Sequence, residues 1–375
     1  MSFANHCVRC DGVINDTNDS EEHVLPNSVG GHLKTRRFIC VRCNNETGQT
    51  WDKELSEQLN FFCQFFGIIR ERGEAPPQRI KTTAGEDFLM QAGGGYKLQK
   101  PVYREVPVEN GKQIQIQARS MSEAAAMLRG AARKYPQIDA NAELAKASTS
   151  YTYPTGVFHH NPTLGGEIAG RSIVKTVTAF AHHVGIPSNE CDLAIAYLRN
   201  EASLPPFGFF YECDLVDGRP SEVPIHCVAI SGRPDAGLLL GYVEYFGLHR
   251  IVVCLSQSYS GPVIEQSYGL NPLTGQAVSV RVGLPFSVED LQAIYDYKKI
   301  PEGSIERAFA EVVPAALKRS FEQEKTRAIA YATKYAFENC GAKKGEMLTE
   351  DQKARLPPLV VEGLMPFIQR FAARA

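Results

Sequence analysis

Two tight cysteine pairs near the N-terminus, Cys7-x-x-Cys10 and Cys40-x-x-Cys43, constrain this chain more than anything else in it. Two thiolate pairs on tight turns place four sulfurs tetrahedrally at about 2.3 Å from a zinc ion, and little else explains that pattern in a reducing compartment. Ten cysteines in a short exported chain would suggest a disulfide framework. Here they are spread through 375 residues, and no basic start followed by an apolar core opens the sequence. The expectation is a cytoplasmic protein in which Cys7, Cys10, Cys40 and Cys43 bind a structural zinc. A four-thiolate site is closed, so that metal holds the fold and does not itself react.

The length exceeds what one hydrophobic core usually organises, so two or three domains are expected. Forty Lys and Arg stand against 42 Asp and Glu, a formal net charge of −2. No cationic field covers the whole protein, and any nucleic-acid contact must come from a local patch. No apolar stretch reaches the roughly 20 residues of a spanning helix.

Patterning divides the chain at residues 1–72, 79–150 and 151–375. In the first segment Trp51, Leu55, Leu59, Phe62 and Phe66 recur three or four apart, one apolar helical face, and Asn44 or Asn45 is a suitable cap for its start. Residues 72–78 break helix and strand alike. In the second segment 86–91, 96–100 and 113–119 alternate like short strands and 122–134 has helical spacing; Gly93, Gly94 and Gly95 read as a hairpin turn. In the third, a loop at 153–166 leads to helices at 172–184 and 190–200. Strands follow at 207–215, 225–231, 237–246, 250–257 and 262–268, whose short gaps favour an antiparallel meander. From residue 287 the pattern is helical, with breaks near Pro301 and at Pro357-Pro358. The fold class is α+β.

Between the cysteine pairs lies Glu22-His23-Val24-Leu25-Pro26-Asn27-Ser28-Val29-Gly30-Gly31, and directly after the second pair comes Asn44 in Cys43-Asn44-Asn45-Glu46-Thr47-Gly48. With these residues the chain resembles the HNH endonucleases, in particular the group stapled by paired Cys-x-x-Cys knuckles, over residues 7–55. The resemblance implies a ββα-metal nuclease domain, two strands and a helix around one catalytic divalent ion. It makes His23 the general base, Glu22 a metal ligand and Asn44 the second protein ligand, with Mg²⁺ or Mn²⁺ as the ion. Asn stands here where many members have a final His, and Glu where many have Asp; both keep an oxygen donor for a hard cation. No middle Asn of the family name precedes Cys40, so the group that orients His23 is not identified. An imidazole near its ordinary pKa of about 6.5 can take a proton from water at neutral pH. In an antiparallel strand Glu22 and His23 would point to opposite faces, so a twist, bulge or strand end must bring both to the substrate.

Asn44, Gly48 and Asp52 share one helical face. Asp52 could be an outer metal ligand or could pair with Arg36 or Arg37, and the ion pair is the expectation; Gly48 would let a backbone or phosphate approach closely. Lys34, Arg36, Arg37 and Arg42 are candidate phosphate contacts beside the cleavage site. The paired histidines His159-His160 and His182-His183 do not chelate at i, i+4 and read as surface or capping residues. Cys191, Cys213, Cys227 and Cys254 with His226 read as core.

The expected function is metal-dependent hydrolysis of nucleic-acid phosphodiester bonds, with DNA as the substrate. Two alternatives stay open on the sequence alone. One is a non-catalytic zinc module that binds nucleic acid or protein. The other is a nuclease gated by a C-terminal ligand sensor, as in bacterial antiphage defence; a small-molecule activator or a change of homo-oligomeric state would be its mark.

Overall fold

The computed structural model describes residues 6–92, 94–109, 111–202, 204–343 and 345–372. They form two compact units. The first takes the chain up to Pro76 together with Pro162–Lys318, the second Pro77–Asn161 and the chain from Arg319 on. The architecture is α+β with antiparallel sheets and a helical C-terminal stretch, as the patterning implied.

The first unit opens with a short hairpin, β1 (Glu22–His23) against β2 (Lys34–Thr35), paired Glu22 to Thr35 and His23 to Lys34. Helix α1 (Val41–Gln49) starts inside the second cysteine pair, with extended Cys40 at its N-cap. Asn44, expected as a cap, lies within the helix and donates its amide to the Cys40 carbonyl at 2.8 Å. The knuckle turn itself supplies the helix start. Helix α2 (Trp51–Phe66) follows after Thr50 and ends on Gly67, whose φ of 68° favours a residue free of a Cβ penalty. Trp51, Leu55, Leu59, Phe62 and Phe66 are all buried, so the apolar face read from the sequence is the packed one.

Behind this lies a six-stranded antiparallel sheet in the order Gln276–Val278, Ile264–Asn271, His226–Arg233, Leu238–Tyr245, His249–Ser256, Phe207–Phe209. Val228, Ile230, Val243 and Ile251 share one core with Phe62, Phe66, Ile173 and Val177. Cys227, Ala229, Tyr242 and Val252 face the other way, onto Phe210, Leu291 and Ile294. Burial on both faces is why these strands read as apolar runs without clean alternation. The helix Gly166–His183 lies on the first face. A Cβ at Gly241 would come 2.1 Å from Val177 Cγ1, so the strand keeps a glycine where the helix crosses it. That helix begins six residues before the expected 172. A Cβ at Gly170 would lie 2.6 Å from the Phe207 ring, and the glycine needed for this contact masks the helical signal.

The second unit holds a four-stranded sheet in the order Tyr96–Leu98, Asp87–Met90, Gln78–Thr82, Phe158–His159, and a hairpin of Val102–Val108 with Gly111–Gln117. Of the expected glycine turn, Gly93 lies outside the described residues, while Gly94 and Gly95 have φ of 88° and 82°. The helix Glu350–Ala372 continues through Pro357 and Pro358, where a break was expected. Each proline frees a carbonyl four residues back. Those belong to Lys353 and Ala354, both exposed, so water can satisfy them.

Candidate active site

The two cysteine turns meet as their spacing implied. The Sγ atoms of Cys7, Cys10, Cys40 and Cys43 all lie within 4.8 Å of one another, and Cys10 Sγ is 3.9 Å from Cys40 Sγ. Tetrahedral bonds of about 2.3 Å to zinc require sulfur separations of about 3.8 Å, so this donor set fits that ion. The Cys40 amide donates to Cys7 Sγ at 3.4 Å, with Cys40 at the N-cap of α1 and Cys43 in its first turn; burial pushes the Cys43 thiol up. Burial opposes ionisation of Cys10, yet hydrogen bonds from the Gly12 backbone and from Cys43 bring its thiol down to about 7.

Beside the knuckle, β1, the loop after it, α1 and the start of α2 enclose a cleft of about 280 Å³. Glu22, His23, Asn44, Gly48, Asp52 and Lys53 all line it. Strand β1 is only two residues long and bends immediately toward Pro26, which is how neighbouring Glu22 and His23 reach one cavity. Gly48 has no atom within 4 Å of where its Cβ would stand, so its face of the cleft is open.

Glu22 is buried, and its Oε1 lies 2.7 Å from Lys175 Nζ. The same ammonium is 2.5 Å from Asp52 Oδ2, and Ser172 donates to Asp52 Oδ1 at 2.6 Å. Asp52 thus pairs with the helix Gly166–His183 and not with Arg36 or Arg37, which are engaged elsewhere. Burial pushes the Glu22 carboxyl up, against the pull of Lys175 and with the push of Asp52. Burial would lower the Lys175 ammonium, but Asp52 and Glu22 together hold it above its ordinary value. The Asn44 amide nitrogen donates to Ser20 Oγ at 3.2 Å and to the Glu21 carbonyl at 3.4 Å. Its Oδ1 has no hydrogen-bond partner among the described residues. Asn44 Oδ1 and the second Glu22 oxygen are hard donors of the kind a magnesium-class ion takes.

His23 Nε2 is 2.9 Å from Glu71 Oε2, and Lys34 Nζ donates to the other Glu71 oxygen at 2.8 Å. Asn27 fixes that segment by accepting from the Glu71 amide at 3.0 Å. Burial lowers the His23 pKa, and Glu71 opposes the shift. Lys34 and His23 hold the Glu71 carboxyl at about 2. Nδ1 of His23 has no hydrogen-bond partner among the described residues. The sequence did not disclose Glu71 as the partner of the His23 ring; it stands 48 residues downstream, with no motif to mark it.

The four basic candidates are all engaged. Lys34 pairs with Glu71, Arg36 with Glu21 at 2.6 Å and Arg37 with Asp16 at 2.6 Å. The neighbouring Cys10 and Cys43 thiols raise the Arg42 pKa, and Arg42 is not part of the cleft lining. Lys53 does line the cleft, and its 3.8 Å contact with Glu57 joins two exposed side chains. Lys53 follows Asp52 directly, but on a continuous helix it would stand about 100° from it and opposite Asn44, so helical spacing gave no signal for it.

Residues 7–60 match the family model of the HNH endonucleases. The match takes in the knuckle, β1, β2, α1 and most of α2, so a nuclease-family segment heads the chain and the remaining residues lie outside it. No curated protein and no solved structure matches the chain.

Proposed function

We propose that the protein is a metal-dependent endonuclease that hydrolyses phosphodiester bonds, with DNA as its substrate class. The observation that carries this reading is the convergence of Glu22, His23 and Asn44 on one open cleft. His23 is the general base. Its Nε2 is engaged by Glu71, which orients the ring, and Nδ1 is left to take a proton from the attacking water. The lowered pKa of His23 keeps the imidazole neutral near pH 7, the state a base needs. Glu22 and Asn44 would hold the Mg²⁺ or Mn²⁺ ion, whose chemistry is to neutralise phosphoryl charge and stabilise the leaving oxygen. Gly48 admits the phosphate and Lys53 offers it a counter-charge at the rim. The zinc knuckle braces α1 and therefore Asn44.

The test is to incubate the full chain with plasmid DNA and Mg²⁺ or Mn²⁺, beside His23→Ala. The general base is expected to be worth about 10²–10⁴ in rate. Nicking that vanishes in a folded His23→Ala protein supports the reading; equal nicking by both proteins refutes it.

A further inference from the structure

We infer that Lys175 is a positioning residue of the cleft whose charge makes divalent-ion binding depend on nucleic acid. The inference rests on the nuclease reading above and deepens it. Lys175 comes from the helix Gly166–His183, more than a hundred residues beyond the matched segment. Its side chain is 2% exposed, and the ammonium stands between two carboxylates, 2.7 Å from Glu22 and 2.5 Å from Asp52. Its remaining contact is Thr47 Oγ1 at 3.5 Å, so all three ammonium donors have partners. Ser172, one turn earlier on the helix, takes the other Asp52 oxygen. The helix therefore fixes both carboxylates in place without a metal.

It also sets their charge. With both carboxyls ionised, the ammonium leaves a single net negative charge beneath the cleft. A magnesium-class ion sheds water reluctantly and is usually held by one or two carboxylates together with substrate phosphates. With Lys175 in place, the protein alone is a poor site for a divalent ion. A phosphodiester would add the missing negative charge, so the ion would be held together with nucleic acid and not by the protein alone. A lysine serving only to hold the fold would behave differently: its neutral replacement would lower stability without raising affinity for the ion.

The experiment titrates Mn²⁺ into the zinc-loaded full chain without nucleic acid, following free Mn²⁺ by its paramagnetic resonance signal. Lys175→Gln and Lys175→Met should bind Mn²⁺ at least about tenfold more tightly than the unaltered protein, well within what one unit charge at this range allows. Lys175→Arg, which keeps the charge, should bind as the unaltered protein does. Adding Glu22→Gln to Lys175→Gln should remove the gain. Equal or weaker Mn²⁺ binding by a folded neutral variant overturns the inference. A second measurement needs no lysine variant: in His23→Ala, which blocks cleavage, a short DNA duplex should tighten Mn²⁺ at least about tenfold, and no tightening overturns the inference. Failure of the underlying metal-site reading has its own mark, Mn²⁺ binding that Glu22→Gln leaves unchanged in every form, with or without the duplex.

Discussion

His226→Gln tests how the sheet holds the nuclease segment as pH falls. His226 is fully buried and uses both ring nitrogens: Nε2 donates to the Val29 carbonyl at 2.9 Å, and Nδ1 accepts from the Phe246 amide at 3.1 Å. Val29 belongs to the loop between β1 and β2, so this ring ties the sheet to the wall of the cleft. Accepting at Nδ1 demands the neutral imidazole. Burial, reinforced by nearby His249, lowers the pKa to about 3, against the opposing Val29 and Glu244 backbone contacts. The folded value lies below the unfolded value of about 6.5, so the contribution is complete above pH 6.5 and is lost as pH falls toward 3. Between pH 7.5 and pH 5 the unfolded chain takes up the proton and the folded one does not, which costs about 2 kcal/mol. Glutamine offers one donor and one acceptor in similar volume and does not titrate. His249, also buried and lowered to about 4, contributes in both proteins and cancels in the difference. The assay is urea unfolding followed by fluorescence of Trp51, the sole tryptophan and a buried residue of the first unit. The stability advantage of the native protein over His226→Gln should shrink by about 2 kcal/mol from pH 7.5 to pH 5. A difference constant within about 0.5 kcal/mol would show that this histidine does not govern acid stability, and the linkage argument would fail.

Three other outcomes follow from the site. Cys40→Ser should lose zinc by metal analysis and lose at least about 3 kcal/mol of stability, a fraction of the roughly 10–16 kcal/mol a structural zinc can supply; unchanged zinc content and melting refute the knuckle. Glu71→Gln should cut cleavage about tenfold to a hundredfold while leaving zinc content intact, because the imidazole loses its anionic orienting partner; an unchanged rate removes Glu71 from the site. Gly48→Leu should melt as the native protein does, since no atom lies near its Cβ position, yet lose cleavage by filling the cleft, and retained cleavage would show that phosphate enters elsewhere.

What the sequence disclosed and what it hid divide by distance along the chain. The thiolate quartet, the Glu22-His23 pair and the Asn44, Gly48, Asp52 face are set by spacings of a few residues, which local geometry converts directly into position. The apolar stripe of α2 was legible for the same reason. Partners chosen by packing were not: Glu71 reaches His23 only because the chain folds back after α2, and Lys175 reaches Glu22 only because a distant helix lies across the sheet. Helix starts at glycine-rich sequence were hidden too, since Gly170 is kept for contact with Phe207 and not for its helical preference. The acidic partners of the basic run were also not legible. Lys34, Arg36 and Arg37 follow an acidic stretch, and the β1–β2 hairpin folds one onto the other, so Asp16, Glu21 and Glu71 claim these charges. The matched segment thus takes part of its electrostatics from residues outside it. By this argument residues 7–60 excised alone would keep their sulfurs and His23, but would leave Glu22 and Asp52 without the ammonium that now separates them.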